Sequence, residues 1–378
     1  MIPFINVRAQ REAYLSEFKQ AEQEVLDSGC FIGGPVVQAL ESELAEFTGA
    51  KHAITCGSGT DALTIALLAL GLKPGDEVIV PDFTFIAPAE CVMRLGGIPK
   101  FADIDPETLQ ISVESIESLI GEKTRGIIAV NLFGQCAPYA KIQECARANS
   151  LWLIEDSAQA FGATQNGVPA CTFGDISITS FYPAKPLGCY GDGGALFTAN
   201  DELAKKIRLI ANHGSQTRYI HEICGMNSRL DAIQAAVLRL KLRHFKDELK
   251  KRSENARKYD EFFAEYNRNI SSAQGSASHF ADRAKIVPQK IADGNTSTYA
   301  QYTVLADERD DFIAQLERAE IPYCIHYPQP LHTQPCFKKL NQGLGNANTI
   351  EACQKVVSLP MCAFTDVEEI IARLKKEM

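Results

Sequence analysis

This 378-residue sequence contains no apolar run approaching the roughly 18 residues that a membrane span requires. Its opening, Met1-Ile-Pro-Phe-Ile-Asn-Val-Arg8, shows no basic segment followed by an apolar stretch. Neither a secretory leader nor an anchor is expected, and the chain reads as cytoplasmic. An excess of positive charge is also missing: 38 Lys and Arg against 47 Asp and Glu leave a net charge of −9. That balance argues against nucleic acid or an anionic membrane surface as the main partner. A small anionic substrate is still compatible with it, because a few Arg and His side chains can hold one locally. Twelve cysteines are present, yet no two have Cys-x-x-Cys spacing. Zinc knuckles and dithiol redox pairs are therefore not expected, no metal is called for, and the thiols read as small buried hydrophobes rather than disulfides. No internal repeat is visible.

What the chain does have is alternation. Short apolar runs at Glu77–Pro81, Ile98–Asp103, Gly126–Asn131, Leu151–Glu155, Asp175–Ser180 and Gly193–Thr198 read as strands. Helical patterns such as Ala87–Leu95 and Val113–Ile120 lie between several of them. Such alternation predicts an α/β fold, a mostly parallel sheet covered by helices, with ligands beyond the carboxyl ends of its strands. A long helical pattern from Asp231 to Phe263 connects a large domain, residues 1–240, to a smaller one, residues 241–378. Within the latter, Tyr299–Leu305 reads as a strand, Glu308–Glu320 as a helix and Pro322–Pro328 as a strand. Between them, 267–295 is rich in small polar residues (Ser271-Ser-Ala-Gln-Gly-Ser-Ala-Ser278) and is expected to include a mobile surface insertion.

Three segments carry chemistry. Lys185 sits in Ser180-Phe-Tyr-Pro-Ala-Lys-Pro-Leu-Gly188, with a hydroxyl five residues upstream and a Gly-rich turn downstream. Asp156 closes the apolar run Leu151-Trp-Leu-Ile-Glu-Asp156. Cys56-Gly-Ser58-Gly59-Thr60-Asp61-Ala62-Leu63 leads into the apolar helical run Thr64–Gly71, offering backbone N–H groups and a positive dipole end to a phosphate. Each has a plain structural account: a solvated surface lysine, a strand-end carboxylate acting as a cap, and a Ser/Thr/Asp N-cap. Taken together and in this order, they match what pyridoxal 5′-phosphate needs: a lysine to bond its aldehyde and an acid to face its ring nitrogen.

These segments, with Gly33-Gly34-Pro35, Pro81-Asp-Phe-Thr-Phe85, Glu155-Asp-Ser-Ala-Gln159 and Asn227-Ser-Arg229-Leu-Asp231-Ala-Ile-Gln234, resemble the DegT/DnrJ/EryC1/StrS family of sugar aminotransferases. The resemblance runs from Ile2 to about Phe337 and implies the aspartate-aminotransferase-like (fold type I) architecture. It implies catalytic roles for Lys185 and Asp156. It further implies phosphate contacts at Gly59, Thr60 and Ser180, ring stacking by Phe85, and a contact from Gln159 to the cofactor's ring hydroxyl. Asn227 matches a phosphate contact from the neighbouring subunit, which implies a homodimer with shared active sites. Arg229 is the candidate for a substrate carboxylate, the alternative being a pairing with Asp231, and His326 and Tyr327 match sugar contacts. One departure is Ala211-Asn-His213-Gly214, where relatives often carry a basic residue, so that contact falls to His213 or Arg218 if it is kept.

Within the family, the segments around Lys185 and His326-Tyr-Pro-Gln-Pro-Leu-His-Thr-Gln-Pro335 are most similar to enzymes acting on UDP-2-acetamido-2-deoxy-3-oxo-D-glucuronate. The expected reaction is amino transfer from L-glutamate to C3 of that sugar, for surface polysaccharide. The alternative is a 4-oxo-6-deoxyhexose linked to UDP or dTDP. A remoter one is a non-catalytic regulator that binds the cofactor or a nucleotide sugar, against which the full set Lys185, Asp156, Gln159 and Ser180 argues.

Overall fold

The computed structural model describes residues 2–273, 285–340 and 345–378. Seven strands build the main sheet: β1 (His52–Cys56), β2 (Glu77–Pro81), β3 (Ile98–Ala102), β4 (Thr124–Val130), β5 (Trp152–Asp156), then β8 (Ile176–Ser180) and β9 (Gly194–Thr198). A two-stranded hairpin, β6 (Thr164–Gln165) and β7 (Val168–Pro169), lies between the last two groups. The order is β1-β9-β8-β5-β4-β2-β3, and β9 alone runs against its neighbours.

The strand sequences explain this layering. Parallel strands covered on both faces must be apolar throughout, since successive side chains enter opposite layers. Val78 and Val80 of β2 join the core that contains Leu63, Leu67 and Ile154, while Ile79 joins the opposite core with Ile127 and Ala129. A consequence for function follows from topology. The carboxyl ends of β1, β2, β4, β5 and β8 all reach one edge, bringing Cys56, Pro81, Asp156 and Ser180 to the same side of the sheet.

A second, antiparallel sheet contains β10 (Ile286–Pro288), β11 (Tyr302–Ala306) and β12 (Val356–Leu359). Its own core includes Tyr259, Phe263, Phe312 and Leu316. The helix Ala232–Ala273 serves both units: at 42 residues it spans about 63 Å. Ala235 to Phe245 pack in the large-sheet core, and Ala256 to Ile270 in the smaller one. The position 240/241, where the sequence divides, lies inside this helix, so the change from one core to the other occurs without a linker.

Some local expectations differ from the structure. Pro322–Pro328 forms no strand; a single bridge joins Cys324 to Ser358, because the two prolines lack ladder donors and the chain bends away after it. Strands β1, β10, β12 and the β6–β7 hairpin have too little apolar patterning to stand out in the sequence. Of the stretch 267–295, residues up to Ala273 continue the long helix, and Ile286–Pro288 pair in the small sheet. Lys290 and Asn295 are hydrogen-bonded to Gln135, Glu107 and Cys136 of the large unit. The remainder, 274–284, lies outside the described residues. Eight of the twelve cysteines are buried and all twelve are free. No helix among the described residues is long and apolar enough to cross a membrane.

Candidate active site

The end of β5 carries two adjacent carboxylates that strand alternation sends to opposite faces. Glu155 is fully buried and saturated with donors. Its Oε1 accepts from Asn131 Nδ2 (2.9 Å), Ser157 Oγ (2.7 Å) and Cys171 N (2.8 Å), and its Oε2 from Phe173 N (2.8 Å) and Ser177 Oγ (2.7 Å). Asp156 is almost as buried, at 5% exposure, but accepts one hydrogen bond among the described residues, from Ala158 N at 3.0 Å. Burial pushes its pKa up to about 6, against the opposing effects of the Ala158 N–H and the Lys185 charge. A buried carboxylate with so few donors is set to receive a cationic partner.

Lys185 lies on the turn that links β8 to β9, its backbone N–H bonded to Tyr182 O at 2.8 Å. Burial lowers its pKa, and Asp156 works in the opposite direction. The same amine depresses His326, so Lys185 stands within electrostatic reach of both.

The phosphate-side residues meet at the sheet edge. Ser58 caps the helix Gly59–Leu70 through its own hydroxyl, which accepts from Asp61 N at 3.0 Å. The N-cap account of Ser58 is therefore correct, and it leaves the Gly59 and Thr60 N–H groups at the helix start for an anion. Ser180 stands directly across: a Cβ at Gly59 would come within 2.8 Å of Ser180 Cβ and 3.2 Å of its Oγ. Glycine is thus required for this close approach of helix and strand.

Phe85 is 54% exposed, a large aromatic left at the sheet edge after β2, with its ring centroid 6.4 Å from that of Tyr327. Gln159 is buried, its Oε1 accepting from Phe133 N at 2.6 Å, so its amide nitrogen turns toward Tyr327 Oη, 3.4 Å away. Tyr327, expected as a sugar contact, therefore also belongs to the group around Gln159. His326 Nδ1 lies 3.0 Å from Ser358 Oγ, and burial first, then Lys185, hold its pKa down at about 4. The segment bearing both residues is tied to the large sheet. Asp82, at the end of β2, accepts from His332 N and Asn346 Nδ2, each at 2.8 Å, and Asp103 accepts from Thr349 N at 2.8 Å.

Asn227 and Arg229 stand apart. Both are exposed, and no hydrogen bond, ion pair or ring contact among the described residues joins them to Asp156, Lys185, Gln159 or Tyr327. Arg229 does not pair with Asp231. It lines a surface cavity of about 380 Å³ with Arg208, Asn212 and Glu41. Between them, Ser228 turns inward, accepting from Gly57 N at 2.9 Å and donating to Asp61 Oδ2 at 2.7 Å. His213 and Arg218 lie on the adjoining exposed loop, where the Arg218 guanidinium sits 4.9 Å from the Tyr219 ring centroid. Sequence reasoning passed over Ser228, Glu155 and the buried Lys241.

These residues fit pyridoxal 5′-phosphate. Gly59, Thr60 and Ser180 would hold its phosphate, Asp156 its ring nitrogen, Phe85 one ring face and Gln159 the ring hydroxyl, with Lys185 bonding the aldehyde carbon. The chain is also similar to known proteins. The chain is 43% identical over 373 residues to UDP-2-acetamido-2-deoxy-3-oxo-D-glucuronate aminotransferase of Pseudomonas aeruginosa, spanning 98% of each chain. It is 39% identical to UDP-N-acetyl-3-dehydro-alpha-D-glucosamine 3-aminotransferase of Acidithiobacillus ferrooxidans, covering 99% of this chain and 96% of that one. The crystal structure of a DegT DnrJ EryC1 StrS aminotransferase from Brucella abortus superimposes with a TM-score of 0.91 at 37% identity, over 100% of this chain and 99% of that one. The model of the DegT/DnrJ/EryC1/StrS aminotransferase family matches residues 13–375, and to that family this chain belongs.

Proposed function

We propose that this aminotransferase moves the amino group of L-glutamate to the C3 oxo group of UDP-2-acetamido-2-deoxy-3-oxo-D-glucuronate, and that it works as a homodimer. The buried, under-bonded Asp156 beside the enclosed Lys185 carries the chemical half of this reading. When bound, the cofactor supplies an electron sink for the carbon that loses its proton. Asp156 holds the proton on the ring nitrogen through a charge-assisted hydrogen bond. Lys185, its amine pulled toward the neutral form by burial, moves the proton; such general acid–base catalysis contributes about 10²–10⁴-fold. His326, neutral at working pH, can hydrogen-bond a sugar hydroxyl without adding charge.

The sugar half rests on Arg229 and on two relatives whose names specify a 3-oxo sugar. A guanidinium with no hydrogen-bond or ion-pair partner among the described residues is suited to bidentate pairing with a carboxylate, which both glutamate and a uronate carry. Because Arg229 and Asn227 face outward, they complete a site only when a second copy brings them to it. Exposed Tyr219 (79%) and Ile220 (58%) on the neighbouring loop give that copy an apolar surface to cover.

The test is a spectral half-reaction. Holoprotein converted to the amine form by glutamate is mixed with UDP- and dTDP-linked 3-oxo and 4-oxo sugars. The absorbance of lysine-bound cofactor should return with the UDP-3-oxo-uronate. Its return with a 4-oxo-6-deoxy sugar instead would replace the sugar assignment and remove the carboxylate role of Arg229.

A further inference from the structure

One nearly fully buried charge has no part in the chemistry above. Lys241, on the long helix, is 2% exposed. Its ammonium donates to Gly188 O at 2.7 Å and lies 4.5 Å from the centroid of the Tyr190 ring. Burial draws its pKa down to about 8, with Glu248 and Cys189 opposing that pull. Keeping a lysine in such a place is unfavourable for folding, so its contacts are informative.

Both of those contacts, to Gly188 O and to the Tyr190 ring, fall on the turn that carries Lys185. Seven residues earlier on the helix, two turns and therefore on the same face, Gln234 accepts from Tyr190 N at 2.8 Å. Gly191 packs on the same amide; a Cβ there would come within 3.1 Å of Gln234 Nε2. The helix thus grips the turn at Gly188 O and at Tyr190 N, three and five residues beyond Lys185. The turn itself is closed. Lys185 N bonds to Tyr182 O and Cys189 N to Phe181 O, both at 2.8 Å. Gly188 has no room for a side chain, a Cβ there falling 2.6 Å from Tyr182 O. A closed turn moves as a unit, so its orientation over the sheet depends on what holds it from outside. The stretch of helix that grips the turn is anchored in turn, since Ala235, Val237, Leu238 and Leu240 pack in the large-sheet core.

We propose that Lys241, seconded by Gln234, is the positioning residue for Lys185: the grip on Gly188 and Tyr190 aims the Lys185 amine at the aldehyde carbon of the cofactor. This rests on the pyridoxal phosphate reading. The step it governs is condensation: Lys185 Nζ attacks the aldehyde carbon, the C=O bond gives way to C=N, and one water leaves.

The experiment compares wild type, Lys241→Met and Gln234→Met as full-length apoproteins. Two quantities are measured. One is the rate at which pyridoxal phosphate attaches, trapped with borohydride and located on Lys185 by peptide mass. The other is the affinity for pyridoxamine phosphate, which has an amine in place of the aldehyde and cannot bond to Lys185. Attachment should slow by about 10-fold or more in Lys241→Met and by a smaller factor in Gln234→Met, since misaiming a reacting group by about 1 Å carries penalties up to about 10²-fold. Pyridoxamine phosphate should bind all three proteins alike. Attachment at the wild-type rate in both variants overturns the proposal. So does an equal loss for both cofactor forms, which would report a damaged pocket rather than a misaimed amine. Should Lys241→Met not fold, Gln234→Met decides alone. If wild type itself attaches nothing at Lys185, the cofactor reading fails and takes the positioning role with it.

Discussion

Replacing Asp156 with Asn should make the cofactor-free protein more stable and the enzyme inert. The carboxylate is buried with a single N–H donor among the described residues, and its pKa rises from 3.8 to about 6. In the unfolded chain it loses its proton near pH 4; in the folded chain it keeps it to about pH 6. Between those values the folded state binds more protons, so stability from this group is full below pH 4 and is lost as pH rises through 6. A gap of about 2 units at 1.36 kcal/mol each makes the ionised group about 3 kcal/mol unfavourable at pH 7. Asn keeps an oxygen for the Ala158 N–H and carries no charge at any pH. The apo variant should therefore exceed wild type by about 3 kcal/mol at pH 7, and by about 1 kcal/mol at pH 4.5.

The cofactor reverses the comparison. A protonated ring nitrogen offers Asp156 the cation it lacks, whereas an amide gains nothing comparable. Stabilisation by ligand grows as RT ln(1 + [L]/Kd), so saturating pyridoxal phosphate should raise wild type by more than the variant. Denaturant unfolding at pH 4.5 and 7, with and without cofactor, measures all four corners, and the glutamate half-reaction measures function. The reasoning is refuted if the apo variant is no more stable than wild type at pH 7, or if its advantage is as large at pH 4.5. Turnover near the wild-type level would remove Asp156 from the mechanism.

Glu155→Gln should destabilise the protein by about 2–4 kcal/mol in equilibrium unfolding, because an amide NH₂ would then face the Phe173 N–H and Ser177 donors that a carboxylate oxygen satisfies; a loss below about 0.5 kcal/mol would count against that network. Gly59→Ala drives a methyl group toward Ser180 and should weaken pyridoxamine phosphate binding by about 10-fold, or 1.4 kcal/mol, while leaving unphosphorylated pyridoxamine unaffected. Equal losses for both ligands would move the phosphate elsewhere. If Arg229 acts across a two-fold interface, mixing inactive Lys185→Ala with inactive Arg229→Ala should restore about a quarter of wild-type activity, from half of the dimers with one intact site each. No recovery after subunit exchange would place Arg229 in its own subunit's site.

How far the site could be read from sequence depended on whether its residues are joined by local pattern or by the fold. Asp156 and Ser180 were legible because both end apolar runs, and parallel strands deliver their ends to one edge. The core strands were legible for the same reason: Val78-Ile79-Val80 admits few other accounts, whereas β1 begins with His52 and holds Thr55, and β12 follows the helix Ala347–Lys355 without a break. The pairing of Gln159 with Tyr327 joins residues 168 positions apart, and no local pattern announces such a meeting. Lys241 is the instructive case. A lysine on an amphipathic helix reads as part of a solvated face, yet Val237 and Leu238, four and three positions before it, are buried, and so is Phe245, four after. Residues at those spacings share a face, so the stripe itself placed this lysine inward. A charge on the apolar stripe of a helix has to find a partner in the interior, and here the interior it enters is the back of the turn that carries Lys185.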